Sequence, residues 1–246
     1  MDMLERARDE LSVLLDSHDI DYDLPVHVMP LTPDQAIGDA DDEFVIKKGK
    51  ERVIEATVAG SRGQAFTDTP RKWKGTVGDA LSLDLTGTGN RAVFVAVLNA
   101  VLRHIHAAPG TIHCRDDDPA DCGSVLAREI RMRYGEGNVG LIGLQPAILA
   151  GPVKELGEKR VRVLDRNAEN VGKMKRGVLV EKEENLKDVA AWSDVGLATG
   201  SSLVNGTIDR IVEAYDEEEK PLLFYGNTIA GAAVLLGLSR ICPFAR

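Results

Sequence analysis

The sequence predicts an α/β protein in two parts, an α+β unit over residues 1–110 followed by a doubly wound parallel sheet over residues 111–246. Three observations predict it. Before Gly110, helical periodicity and β-branched runs come in separate blocks. After it, five short apolar runs alternate with helical stretches or connections. Those later runs lack the apolar-polar alternation of a one-sided sheet, as expected of strands covered on both faces.

The elements follow in order. Leu4, Ala7, Leu11, Leu14 and Leu15 recur at spacings of three and four, which is one face of an opening helix. A proline-punctuated stretch leads to two β-branched runs, FVIKK (44–48) and RVIEATV (52–58), joined by Gly49-Lys50-Glu51 and read as an antiparallel hairpin over 44–58. Residues 60–75 read as a glycine-rich link and 76–83 as a short helix. The strongest periodic signal is next: Val93, Phe94, Val97, Leu98, Val101, Leu102 and Ile105, with Asn90 as N-cap. Ala107-Ala108-Pro109-Gly110 ends the first unit. The second opens with a helix over Pro119 to Tyr134, capped by Asp118 and stopped by Gly135. Its strands are expected at Val139–Leu144, Val161–Leu164, Gly177–Val180, Val195–Ala198 and Pro221–Tyr225.

Composition limits the function. The net charge of −9 argues against a nucleic-acid surface and against anionic membranes. The longest apolar stretches fall far short of the roughly 18 residues a membrane helix needs, and the first ten residues carry no secretory h-region. Three cysteines without an export signal point to free thiols or metal ligands in a reducing, cytoplasmic compartment. The acidic runs Asp39 to Glu43 and Glu217 to Glu219 read as solvated surface. No nucleophile elbow, Walker loop, HExxH or kinase motif is present.

In a doubly wound sheet, ligands bind outside the carboxyl ends of the strands. Four loops therefore matter. In the first, Gly143 and Gln145 flank a turn before Pro146, where helix amides could hold an anion. Gln145 stands where the dinucleotide fingerprint requires its second glycine, which disfavours a standard NAD mode. Asp165 closes the second strand 22 residues after Gly143, either to reach a ribose diol or to serve as a turn residue. The loop Thr199-Gly200-Ser201-Ser202-Leu203-Val204-Asn205-Gly206-Thr207 is the densest polar signal, suited to hydrogen-bonding a polar ligand through Thr199, Ser201, Asn205 and Thr207. Its plainer reading is turn chemistry with Asn205 as a helix cap. Tyr225, Gly226, Asn227 and Thr228 repeat the theme.

A second constellation is His113, Cys114, Cys122 and Cys242, whose thiolate and imidazole donors select zinc, copper(I) or iron. The spacing matches no common zinc module, so inert burial is the competing reading. Cys122 is expected in the first turn of its helix, where the dipole would lower its pKa.

The stretches GNRAVFVAVLNAVLRH, TIHCRDDDPADC, VGLIGLQPA, VRVLDRNAENVGK, LATGSSLVNGTI and FYGNTIAGAAVLLG resemble a domain family of unknown function linked by name to heavy-metal chelation. The resemblance implies an enolase N-terminal-like α+β domain, a Rossmann-like domain after it, and an active site in the cleft between them. Carried over residue by residue, that cleft is the GLQPA turn, Asp165 with Asn167, Thr199 to Thr207 and Tyr225 to Thr228, with Gly63 to Asp68 as the opposing wall. It transfers no catalytic residue.

The expected function is binding of a small polar or metal-bearing ligand between the domains, with a soft transition metal or metal chelate as cofactor. The alternatives are an enzyme using adenosylmethionine or NAD, with Asp165 on the ribose, and a metal-binding module centred on the four Cys and His residues. A homo-oligomer is compatible with all three.

Overall fold

The computed structural model describes residues 2–38, 51–116 and 118–246. Helix α1 (Met3–Ser17) starts at the N-cap Asp2, whose carboxylate accepts from the Glu5 N–H, and buries Met3, Leu4, Ala7, Leu11 and Leu15. The proline-punctuated stretch carries regular structure over residues 25–37. It forms β1 (Pro25–Pro30) and α2 (Pro33–Ile37), the latter entered by a reciprocal capping box between Thr32 and Gln35. Its prolines stand at strand ends and in a first helical turn, where a missing N–H costs little.

β2 (Arg52–Val58) is the second strand of the expected hairpin, but it pairs with β3 (Ser61–Thr67) through Ala59-Gly60, both at positive φ. The expected partner at 44–48 lies outside the described residues. The supposed glycine-rich link is thus β3, followed by β4 (Trp73–Thr76). β3 hides its strand character because Gly63 takes the place of an apolar residue: a Cβ there would sit 2.2 Å from the backbone nitrogen of Ala100. The four strands form an antiparallel sheet in the order β3-β2-β1-β4.

Thr76 and Asp79 form a capping box on α3 (Val77–Leu81). Helix α4 (Thr88–His104) follows with Gly87 as N-cap. Asn90, expected there, lies inside the first turn and instead accepts from Arg71 and donates to the Asp84 carbonyl. Ala92 to Leu102 are buried without a break, so α4 has no solvent face over that span. It packs on β2 and β3 and also on helices of the second half.

The second half begins with α5 (Asp118–Tyr134). Its expected cap Asp118 is the first helical residue, and the carboxylate accepts from the Arg115 N–H and pairs with Arg246. Then come β5 (Val139–Ile142), α6 (Pro146–Leu156), β6 (Val161–Asp165), β7 (Met174–Lys175) and β8 (Val178–Lys182). α7 (Leu186–Trp192), β9 (Val195–Thr199), α8 (Ser202–Asn205), α9 (Ile208–Glu217), β10 (Leu222–Tyr225) and α10 (Ala230–Leu236) complete it. The sheet order is β10-β9-β5-β6-β8-β7. β10, β9, β5, β6 and β8 are parallel, as the five apolar runs predicted, and the short β7 is antiparallel on the β8 edge.

Successive strand residues feed two different interiors. Leu141, Val163, Leu197 and Leu223 pack with Leu126, Ile130 and Leu149 of α5 and α6. Ile142, Leu164, Ala198 and Phe224 join the apolar cluster that also holds α1, α4 and the antiparallel sheet, so the halves share one core. Helices cover both faces, which is why the strands carry no polar alternation. β5 is flanked by β6 on one side and β9 on the other, and this is the topological switch point of the sheet.

Buried Asn99 of α4 fastens the halves together. Its amide nitrogen donates to the carbonyls of Gln64, Asn227 and Thr228, and its oxygen accepts from the Gly231 N–H. The C-terminal tail runs along β10 through Phe224–Ser239 and Ile241–Phe224 backbone bonds, and Arg246 exchanges two backbone bonds with Ile112. Among the described residues no helix is long and apolar enough to cross a membrane.

Candidate ligand cavity and thiol cluster

A cavity of about 660 Å³ opens at the carboxyl ends of β5, β6, β9 and β10, and Ile37, Glu51, Phe66 and Asp68 of the first half close it from the other side. Phe66 and Asp68 fall in the Gly63 to Asp68 segment expected as the opposing wall. The Phe66 N–H donates to Thr228 Oγ1, holding that wall against the loop after β10.

Gly143 sits at φ 91°, and a Cβ on it would lie 2.6 Å from the Thr199 methyl. Only glycine lets the loops after β5 and β9 approach this closely. Its carbonyl accepts from the Tyr225 hydroxyl at 2.9 Å, and burial raises the Tyr225 pKa. Gln145 is the N-cap of α6: its side-chain oxygen accepts from the Ile148 N–H at 2.8 Å. Asp165 accepts from the Leu144 N–H at 2.8 Å and the Asn167 N–H at 2.6 Å, tying the loops after β5 and β6. Asn167 accepts in turn from the Glu169 N–H. Gly143, Gln145, Asp165 and Asn167 all line the cavity, but the carboxylate set aside for a ribose is engaged with backbone.

Thr199, Ser201, Asn205 and Thr207 line it as well. Thr199 and Ser201 share a hydroxyl–hydroxyl bond of 3.0 Å. Asn205 is not the expected helix cap. It is the last residue of α8, Gly206 follows in the left-handed conformation, and Thr207 is the N-cap of α9 without a side-chain bond. Capping by Asn205 fails because the chain already turns once in α8. Tyr225, Gly226 and Thr228 line the cavity, whereas Gly200 and Asn227 do not. The Gly200 N–H bonds the Tyr225 carbonyl, and buried Asn227 donates to the Thr111 carbonyl.

His113, Cys114, Cys122 and Cys242 meet at one end of the same cavity, although 128 positions separate Cys114 from Cys242. The tail carries Cys242 back. Interaction with the Cys122 side chain, and with the nearby Arg240 guanidinium and Gly226 N–H, stabilises negative charge on the Cys242 sulfur against burial, so its pKa falls to about 6. Cys122 moves up, because of its interaction with Cys242 and its burial. The expected dipole effect on Cys122 is thus overturned: it is the fifth residue of α5, and the acidic thiol is Cys242. Burial, with Cys242 and Asp118 nearby, lifts Cys114 to about 12. Burial holds His113 down to about 4, its N–H backbone donates to Gln64, and its ring meets Phe66 edge-on at 5.1 Å. No group of three or more His, Cys, Asp or Glu side chains among the described residues is arranged to hold a metal. What the structure brings together is a pair of free thiols, Cys122 and Cys242, with Cys114 and His113 as neighbours.

Sequence reasoning missed Glu51, Arg166, Glu169, Glu183 and Arg210, which also line the cavity. Arg166 and Glu169 sat in a loop already singled out, and Arg210 lies three residues beyond Thr207, one turn into α9. Glu51 is raised by burial and by Asp165 and Asp68, a proximity across the halves with no local signal.

Fold and cavity define an α/β protein with a ligand-sized cleft between an antiparallel and a mostly parallel sheet. Residues 127–234 match the profile of the DUF364 family, described as "Putative heavy-metal chelation", which bears out the resemblance read from the sequence. Two crystal structures of DUF364 proteins of unknown function are similar in fold. The one from Pyrococcus horikoshii is 17% identical with a TM-score of 0.53, covering 92% of this chain and 80% of its own. The one from Desulfitobacterium hafniense is 11% identical with a TM-score of 0.50, covering 76% and 72%. No curated protein matches the chain.

Proposed function

We propose that the protein binds a soft metal ion, carried by a small polar chelator, in this cavity, with Cys122 and Cys242 as its two sulfur donors. The carrying observation is that Cys122 and Cys242 lie together on the cavity wall, with Arg240 beside Cys242. A thiolate already formed at neutral pH is the form that binds a soft metal. The donor set fits an ion held by two protein sulfurs whose other ligands come from the bound molecule. It does not fit a closed four-coordinate zinc site. The family's description supports the same chemistry.

The nucleotide-cofactor alternative has less support, since Asp165 is spent on backbone N–H groups and Gln145 on capping α6. The strand order supports reading the second half as Rossmann-like without implying its cofactor. Domains of 1–110 and 111–246 place the cavity at their junction, and a reducing compartment such as the cytoplasm keeps the pair as thiols.

Calorimetric titration of the reduced chain with cadmium(II) tests the reading. One ion per chain should bind, and Cys242→Ser and Cys122→Ser should each weaken it by about a hundredfold, the loss of a few kcal/mol from a missing ligand. Equal affinity in the wild type and both variants overturns it.

A further inference from the structure

We propose that the occupant of the cavity carries an anionic oxygen group, a carboxylate or a phosphate, and that the segment from Thr199 to Arg210 is its seat. The inference deepens the ligand reading above and rests on it.

Four observations converge on this segment. Ser202 is 2% exposed and lines the cavity, yet its hydroxyl has no hydrogen-bond partner. A buried polar group left unpaired costs on the order of 1–3 kcal/mol, so a partner supplied by a ligand would recover it. Thr199 and Ser201, whose hydroxyls bond to each other, put two more hydroxyl groups on the same stretch of wall. Helix α9, ten residues long, begins at Ile208, and the side chain of its N-cap Thr207 bonds none of the first N–H groups, which have no intrahelical acceptor. Such an end favours negative charge. Arg210 stands one turn into that helix on the cavity wall, and among the described residues no carboxylate pairs with it.

The carboxylates on the wall come from other elements: Glu51 just before β2, Asp68 after β3, Asp165 at the end of β6, Glu169 in the loop after it, and Glu183 after β8. The cavity is therefore not uniformly acidic. A metal chelate has the matching make-up, a cationic centre surrounded by anionic oxygens, and the sulfur pair and this seat would hold its two kinds of atom.

The test titrates the reduced full chain with inorganic phosphate and, separately, with succinate, by calorimetry. Arg210→Ala and Ser202→Ala are the variants: Arg210 is exposed, and Ser202→Ala removes an unsatisfied hydroxyl, so both should keep the melting temperature. Binding of either anion that Arg210→Ala weakens about tenfold and Ser202→Ala weakens severalfold supports the seat, the tenfold corresponding to one charged hydrogen bond. The anion that binds names the source, phosphate or carboxylate. Binding of neither, or equal binding by wild type and variants, overturns it. Cadmium titration of the same samples separates the two proposals. Cadmium binding without an anion effect sinks only the seat, and an Arg210-dependent anion without cadmium binding sinks only the sulfur pair.

Discussion

Cys242 and Cys122 are chemically alike and shift in opposite directions because their surroundings differ. Cys122, Arg240 and the Gly226 N–H favour the thiolate at Cys242, while the neighbouring Cys242 and burial keep Cys122 a thiol. The rate of iodoacetamide alkylation should therefore rise through an inflection near pH 6 and lose its fast phase in Cys242→Ser. In Cys122→Ala, the inflection should move up toward the ordinary thiol value. A wild-type inflection near pH 9 would contradict the pairing. His113 gives a second pH signature. Its pKa falls from 6.5 to about 4 on folding, so between those values the unfolded chain binds the extra proton and stability rises with pH. Acidification from pH 6.5 to pH 4 should erode stability, and His113→Phe should flatten that slope in urea unfolding series; an unchanged slope would remove His113 from the account. The cysteines and His113 were legible as residue types suited to soft metals, but their meeting was not. Cys242 reaches the cavity only because the tail adds to the edge of β10, and no spacing along the chain records that.

At the scale of elements, α4 decides how the halves fit. Its apolar repeat was plain in the sequence, yet a repeat of threes and fours describes one face, while the helix is buried all round from Ala92 to Leu102. The β3 strand was illegible for the same reason seen from the other side, since Gly63 yields its side-chain volume to the α4 backbone. Gly63→Ala should cost about 3 kcal/mol in denaturant unfolding, because the clash is with main chain that cannot rotate away. A loss under about 0.5 kcal/mol would mean that the helix shifts freely on the sheet. Asn99→Ala should cost on the order of 3 kcal/mol, as it strands the Gly231 N–H and the Gln64 and Thr228 carbonyls in the core. The Asn205 cap was misread because a polar loop with a glycine does not reveal the extra turn of α8 within it.

For the whole molecule, the five parallel strands were the most legible feature, since burial on both faces writes itself into Val139–Ile142 or Val195–Thr199 as unbroken apolar runs. The cavity followed from that topology, because strand ends at a switch point gather loops that are distant in sequence. What the first half brings to it, Glu51 among the rest, depends on how two sheets stack across α4 and leaves no local trace. The central claim joins the two scales: a cleft fixed by the sheets places one thiol–thiolate pair where a chelated soft metal can enter. X-ray absorption of the reduced chain loaded with one equivalent of cadmium(II) tests it most directly by counting the metal's neighbours. The account predicts two sulfur neighbours with lighter oxygen or nitrogen atoms completing the shell, and one sulfur in Cys242→Ser. A shell without sulfur, or with three or more, would contradict it.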